Sequence, residues 1–340
     1  MTKTTMKAAA FKEKNGKLEI IELPIPEPVQ GWVRIKVHAC GVCQGENVCK
    51  FGSMGNTFPR VPGHEVVGEI DKLGDGVNNE DYNVGEFVGI GWFGGNHCGK
   101  CETCLEDEWA HCKKTYTCGV TYDGGYAEYM VAPISALVKI PKGMDPIESA
   151  PLLCAGLTVY NSFRNQNIKA GSLVGVTGIG GLGHYAIQFC KKMGYQVIAM
   201  SSGNSKEKLS KELGADYYID MSKDNYIKEI QSIGSVKCIL ATAPTASTVQ
   251  GLLESLGVKG KLVILAAFHE PFNANSLTMI SGDKSIVGWA SGDSRDSTDT
   301  LHFARNNNIK SMINTFPLEK ANEAFENINQ ARFRNVIKLV

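Results

Sequence analysis

The chain has 340 residues, 43% of them hydrophobic, and its 35 basic side chains cancel its 35 acidic ones. That length admits two domains with separate cores. The charge balance leaves no bulk field for nucleic acid or an anionic membrane, and no apolar run approaches the ~20 residues of a spanning helix. The first residues, Met1 to Thr5, carry no signal-peptide apolar region, so the expected compartment is the cytoplasm.

From the N-terminus, short alternating segments at 6–11, 18–21 and 33–37 are punctuated by Pro24, Pro26, Pro28 and Gly31. They predict a partly open antiparallel β unit, extended by strands at 65–70, 87–91 and 126–131. Beyond about residue 145 strands alternate with helices. The alternation runs strand 174–177, helix 182–193, strand 195–200, helices 206–213 and 225–233, strand 237–241, helix 247–256, strand 261–266. It predicts a doubly wound parallel sheet. After about residue 290 the rhythm ends, and a helix at 297–305 with the tail is expected to return to the first domain. The expected domains are therefore 1–150 with 291–340, and 151–290.

The first motif is the glycine turn Gly178-Ile179-Gly180-Gly181-Leu182-Gly183. It lies between a buried strand and a helix, the order a dinucleotide pyrophosphate site requires. The acidic residue that selects NAD is expected about 20 residues past such a turn. Here that position is Ser201, with no carboxylate until Glu207. Ser201 and Ser202, followed by Lys206 and Lys208, suit a ribose 2′-phosphate instead, unless Ser205 and its neighbours merely cap the next helix.

The cysteines form a second signal. Eleven in one chain, an odd number, argue against a disulfide framework. Cys98, Cys101, Cys104 and Cys112 fall within one lobe, 95–113, at spacings that let four thiolates wrap a tetrahedral zinc, ahead of an iron–sulfur cluster or four free surface thiols. Four sulfurs leave no open position, so this zinc is read as structural. Cys43, His64 and Cys154 are dispersed, and each alone could be an ordinary buried side chain. Together they supply two thiols and an imidazole, a three-ligand set with a fourth place open.

The motifs Gly41-Val42-Cys43, Pro62-Gly63-His64-Glu65, the four-cysteine lobe, Asp123 to Tyr129, Cys154-Ala155-Gly156-Leu157-Thr158 and the glycine turn occur together and in order. In that combination the chain resembles the zinc-dependent alcohol dehydrogenases of the medium-chain dehydrogenase/reductase superfamily, from about Met6 to Val340. The resemblance implies an α/β chain of a GroES-like β-rich catalytic domain plus a Rossmann domain. It implies a catalytic zinc on Cys43, His64 and Cys154, two zinc ions per chain, and a nicotinamide that exchanges hydride with an alcohol or carbonyl. Glu65 matches the carboxylate near the metal, and Glu46 stands where relatives usually have the Asp that orients the ligand histidine. Arg334 falls at the arginine on the cofactor pyrophosphate, though the residue alone could be a solvated charge. The serine-rich turn resembles NADP-dependent, cinnamyl-alcohol-dehydrogenase-type members, and NADP(H) is the expected cofactor.

Two departures stand out. Gly45 replaces the usual Ser or Thr of a proton relay, and Val48 replaces its histidine. Three readings stay open: water reaches the zinc-bound oxygen directly, Glu65 or some other group takes the role, or the glycine makes room for a bulkier substrate over Gly45. Trp92 is the candidate for the substrate pocket, ahead of Phe51 and Trp289. The expected activity is reduction of a small-molecule aldehyde or ketone by a dimer or tetramer, with reduction of a conjugated C=C bond as the rival. A non-enzymatic zinc module contacting nucleic acid is disfavoured by the absence of basic excess and interleaved aromatics.

Overall fold

The computed structural model describes residues 3–78, 80–329 and 333–340. Two compact units emerge: Met1–Leu157 with Gly292–Asn306 and Lys310–Val340, and Thr158–Ser291 with Asn307–Ile309.

The first unit is β-rich. Its strands are β1 (Thr5–Phe11), β2 (Leu18–Pro24), β3 (Trp32–Val42), β4 (Val66–Leu73), β5 (Phe87–Ile90), β6 (Tyr129–Pro133) and β7 (Val138–Lys139). β1 and β2 form an antiparallel pair, and β3 pairs antiparallel with both β4 and β6. Alternation along β3 sends Val33, Ile35 and Val37 into the core, against Val66, Ile70, Val88 and Met130.

The second unit contains β8 (Leu173–Thr177), β9 (Gln196–Ser201), β10 (Tyr217–Asp220), β11 (Val236–Ala241), β12 (Leu256–Ile264) and β13 (Ser285–Gly288). They form one parallel sheet in the order β10-β9-β8-β11-β12-β13. β8 is wholly buried, as a strand covered by helices on both faces must be. The strand order reverses between β8 and β11, and sheets of this kind bind ligands outside the carboxyl ends of the strands at such a reversal.

The tail supplies β14 (Ile313–Pro317) and β15 (Arg334–Lys338). β15 pairs antiparallel with the end of β3, Val336 facing Gly41. Two expected elements change and two strands are added. The helix expected at 247–256 is a 3₁₀ turn, Ala246–Thr248, and a short helix, Leu252–Ser255, separated by Gly251 at φ +80°. β12 begins at Leu256 rather than 261. β10 and β13, edge strands of four residues each, add to the expected set. Among the described residues, no helix is long and apolar enough to cross a membrane.

Candidate active site

Antiparallel pairing builds the site in the first unit. The end of β3 runs beside the start of β4, with Gly41 N–H donating to the Glu65 carbonyl at 2.9 Å. That pairing brings Cys43, just past β3, to His64 and Glu65, just before β4. The backbone around His64 is fixed from the other side by the second glycine motif. Gly124 N–H donates to Val61 O at 2.8 Å, Gly125 N–H to Gly63 O at 3.0 Å and Tyr126 N–H to Pro62 O at 3.1 Å. Cys154 enters from the 3₁₀ turn Ala150–Leu153, which is buried throughout.

One ligand atom each from Cys43, His64, Glu65 and Cys154 lies within 4.8 Å of all the others. Cys43 Sγ stands 3.8 Å from Cys154 Sγ. Two thiolates ~2.3 Å from one tetrahedral ion stand ~3.8 Å apart, so this separation suits a shared zinc and is far too long for a disulfide. His64 is fully buried, and its Nε2 has no hydrogen-bond partner. Its Nδ1 lies 2.9 Å from Glu46 Oε1, while Glu46 Oε2 accepts from Gly63 N–H at 3.0 Å. The extra methylene of Glu46 is thus accommodated, and the carboxylate reaches the imidazole. The residues fit the ion: two sulfurs at tetrahedral spacing, an unpartnered ring nitrogen and a carboxylate behind the ring. The Cys43 thiol is held well below its ordinary pKa by its hydrogen bond with Cys154, aided by His64.

Arg334 is 5% exposed and donates to Glu65 Oε1, so it is no solvated surface charge. Burial pushes the Glu65 carboxyl up to about 7, with the Arg334 guanidinium pulling the other way. Glu65 Oε2 has no hydrogen-bond partner.

The space over Gly45 is occupied. A Cβ there would fall 2.8 Å from His64 Cε1 and 3.1 Å from Trp92 Cζ3. Trp92 packs edge-on against the His64 ring with centroids 4.8 Å apart. The expected room for a bulkier substrate over Gly45 is therefore corrected: indole and imidazole fill it. Phe51 is 45% exposed, and Trp289 belongs to the second unit, where its Nε1 donates to Ser291 O at 3.3 Å.

The cysteine lobe is a separate centre. Cys98, Cys101, Cys104 and Cys112 bring their sulfurs within 4.8 Å of one another, Cys98 and Cys104 being 4.0 Å apart. Cys101 is drawn down to about 6 by its hydrogen bond with Thr103, whereas burial pushes Cys104 up to about 11. Outside the loop, Arg295 stacks 3.5 Å over Trp109, whose other neighbour is the parallel His97 ring at 4.0 Å.

In the second unit the glycine turn follows β8 directly. Gly178 has φ +80°, and a Cβ on Gly183 would run into the Gly178 carbonyl, so neither position takes a side chain. Thr242, at the end of β11, donates its hydroxyl to Thr177 O and Gly178 O, both at 2.8 Å, and pins the turn. Nothing local marks Thr242 in the sequence. The helix Gly183–Lys192 starts from Leu182 without a side-chain cap, leaving its N-terminus to an anion. Ser201 ends β9 half-buried, Ser202 is exposed, and Lys206 is the N-cap of the helix Glu207–Glu212 with no side-chain capping bond. Ser205 is therefore not spent as a cap.

Two family profiles match: Alcohol dehydrogenase GroES-like domain over residues 29–142, and Zinc-binding dehydrogenase over residues 181–306. Alcohol dehydrogenase notN of Aspergillus sp. is 41% identical over 337 residues, covering 98% of each chain. Among solved structures, a cinnamyl alcohol dehydrogenase of Sorghum bicolor superposes with TM-score 0.88 at 29% identity, covering 98% of this chain and 97% of its own. Acetophenone reductase from Geotrichum candidum, in complex with NAD, gives 0.85 at 25% identity, covering 99% and 98%. The chain belongs to the zinc-dependent alcohol dehydrogenases of the medium-chain dehydrogenase/reductase superfamily. It is a GroES-like unit joined to a Rossmann sheet, and an oxidoreductase of alcohols that works with zinc and a nicotinamide cofactor.

Proposed function

We propose that the chain is an NADP(H)-dependent reductase of small aldehydes or ketones, with a catalytic zinc on Cys43, His64 and Cys154 and a structural one in the cysteine lobe. The observation that carries this reading is the meeting of two thiols at tetrahedral spacing with an unpartnered imidazole nitrogen. When bound, zinc supplies a Lewis acid for the carbonyl oxygen, and the nicotinamide supplies hydride.

The chain's own residues do the rest. Glu46 holds the His64 ring by its Nδ1 face and so fixes which nitrogen faces Cys43 and Cys154. Arg334 keeps Glu65 ionisable in a buried place, and Glu65 Oε2 is left as a carboxylate oxygen without a hydrogen-bond donor. Trp92 packs edge-on against the His64 ring, which makes it our candidate for the substrate pocket. Gly178, Gly180, Gly181, Leu182 and Gly183 present backbone to the pyrophosphate, and nothing lies within 4 Å of a Cβ built on Gly180. We propose Arg334 for the cofactor pyrophosphate on the family resemblance alone; its observed partner is Glu65.

Support for NADP(H) is local. Ser201 replaces the acidic residue of NAD enzymes, and Lys206 makes no ion pair among the described residues. Wild-type kcat/KM is expected to be higher with NADPH than with NADH, and the reverse preference overturns this choice. Ser201→Asp is expected to move the NADPH:NADH ratio about tenfold or more toward NADH, since like charges would face each other across ~1.4 kcal/mol.

Assembly as a dimer or tetramer is supported by the edge strand β13 together with Leu277 and Ile280, 72% and 75% exposed on the neighbouring helix Ser276–Ser281. We propose a cytoplasmic location because an odd number of cysteines, eleven, argues against a disulfide framework.

A further inference from the structure

The turn after β9 selects the cofactor in the reading above, yet its shape is set from the next strand. β10 pairs in parallel with β9, and Asp220 is the register partner of Ser201. One oxygen of Asp220, Oδ1, accepts three hydrogen bonds: Gly203 N–H at 2.6 Å, Ser222 N–H at 3.0 Å and Ser222 Oγ–H at 2.6 Å. Tyr218, two residues back on the same face of β10, donates its hydroxyl to the Gly203 carbonyl. The peptide groups flanking Gly203 are thus gripped at both their N–H and C=O ends. Gly203 itself has φ +68°, with nothing within 4 Å of a Cβ built on it. No side chain packs where a Gly203 Cβ would stand, and the Gly203 backbone is held by its N–H donating to Asp220 and its carbonyl accepting from Tyr218.

We propose that Asp220, with Tyr218, is a positioning residue for the ribose 2′ subsite: it fixes Gly203 so that Ser201, Ser202 and Lys206 are presented together. The proposal rests on the NADP(H) reading for the identity of the group recognised. Its physical content is preorganisation: a turn already held in the binding geometry does not lose ordering entropy when the 2′-phosphate arrives. A cofactor without that phosphate draws on the glycine turn at Gly178–Gly183 and is less dependent on the loop. The three donors gathered on Oδ1 hold the carboxyl of Asp220 below the ordinary range, led by the Ser222 hydroxyl.

The test uses the full-length zinc-loaded enzyme and four proteins: wild type, Asp220→Ala, Asp220→Asn and Tyr218→Phe. Steady-state kinetics are measured with NADPH and NADH, and binding with 2′,5′-ADP and 5′-AMP. Asp220→Ala is expected to raise KM for NADPH at least tenfold, with kcat and the KM for NADH within about twofold of wild type. Its affinity for 2′,5′-ADP falls in parallel, while that for 5′-AMP holds. Asp220→Asn keeps an acceptor at Oδ1 and recovers most of the loss, and Tyr218→Phe shows a smaller shift in the same direction. The wild-type NADPH:NADH ratio tests the cofactor reading alone. The change in that ratio between wild type and Asp220→Ala tests Asp220. A change under twofold, or equal losses with both cofactors, overturns the role of Asp220 whichever cofactor the wild type prefers.

Discussion

Gly45→Ser is expected to lower kcat/KM ten- to hundredfold, even though it places a hydroxyl where the family resemblance leads one to expect it. The cause is the Cβ. At 2.8 Å from His64 Cε1 and 3.1 Å from Trp92 Cζ3 it demands that one ring move. Neither ring moves freely, because Glu46 holds the imidazole at Nδ1 and the indole packs edge-on against it at 4.8 Å. Overpacking of this kind costs about 1–3 kcal/mol, and a shift of ~1 Å in a positioning group can cost ~10² in rate. Gly45→Ala therefore makes the decisive comparison. Equal losses in the serine and alanine variants are expected, because both add the same Cβ. A serine variant faster than the alanine variant would mean that a relay hydroxyl fits and works there.

Cys154→Ala is the second large effect. It removes one sulfur of the pair 3.8 Å apart and leaves the Cys43–His64–Glu46 side intact. The three-ligand site should fail to retain its ion, so metal content falls from two zinc ions per chain to one. Lewis-acid stabilisation is worth several kcal/mol, and each 1.36 kcal/mol is a tenfold factor, so turnover should fall by about 10³–10⁴. Alanine fills a small site at the end of a buried 3₁₀ turn, so the melting temperature should match that of wild type from which only the catalytic zinc has been removed. Retention of two zinc ions with wild-type turnover would remove Cys154 from the site.

Where chemistry needs consecutive residues, the chain announces it. The glycine turn between β8 and its helix, and the four cysteines within fifteen positions, were legible because spacing alone fixes their geometry. Cys43, His64 and Cys154 were legible only through resemblance, since their meeting depends on β3 pairing with β4 and on a distant 3₁₀ turn. Local pattern is silent on contacts between side chains far apart in the sequence, such as Cys43 and Cys154, 111 positions apart. The same holds for Arg334 on Glu65 and for Thr242 on Gly178. β10 escaped notice because an edge strand of four residues, Tyr217 to Asp220, gives too little alternation to read. The front of β12 was hidden by Gly257, Gly260 and Lys259, the last at φ +58°, which read as loop residues rather than strand. Gly45 illustrates a subtler limit. A missing side chain suggests empty space, but whether a neighbour has moved in is a question of packing, and here Trp92 has.

The central claim is that Cys43, His64 and Cys154 hold one zinc while the cysteine lobe holds another. Anomalous diffraction from crystals of the purified enzyme, collected at the zinc absorption edge, tests it most directly. Two peaks per chain are predicted, one bounded by Cys43 Sγ, His64 Nε2 and Cys154 Sγ, the other by the four sulfurs of Cys98, Cys101, Cys104 and Cys112. A lone peak in the cysteine lobe, from enzyme that still reduces aldehydes at full rate, would contradict it.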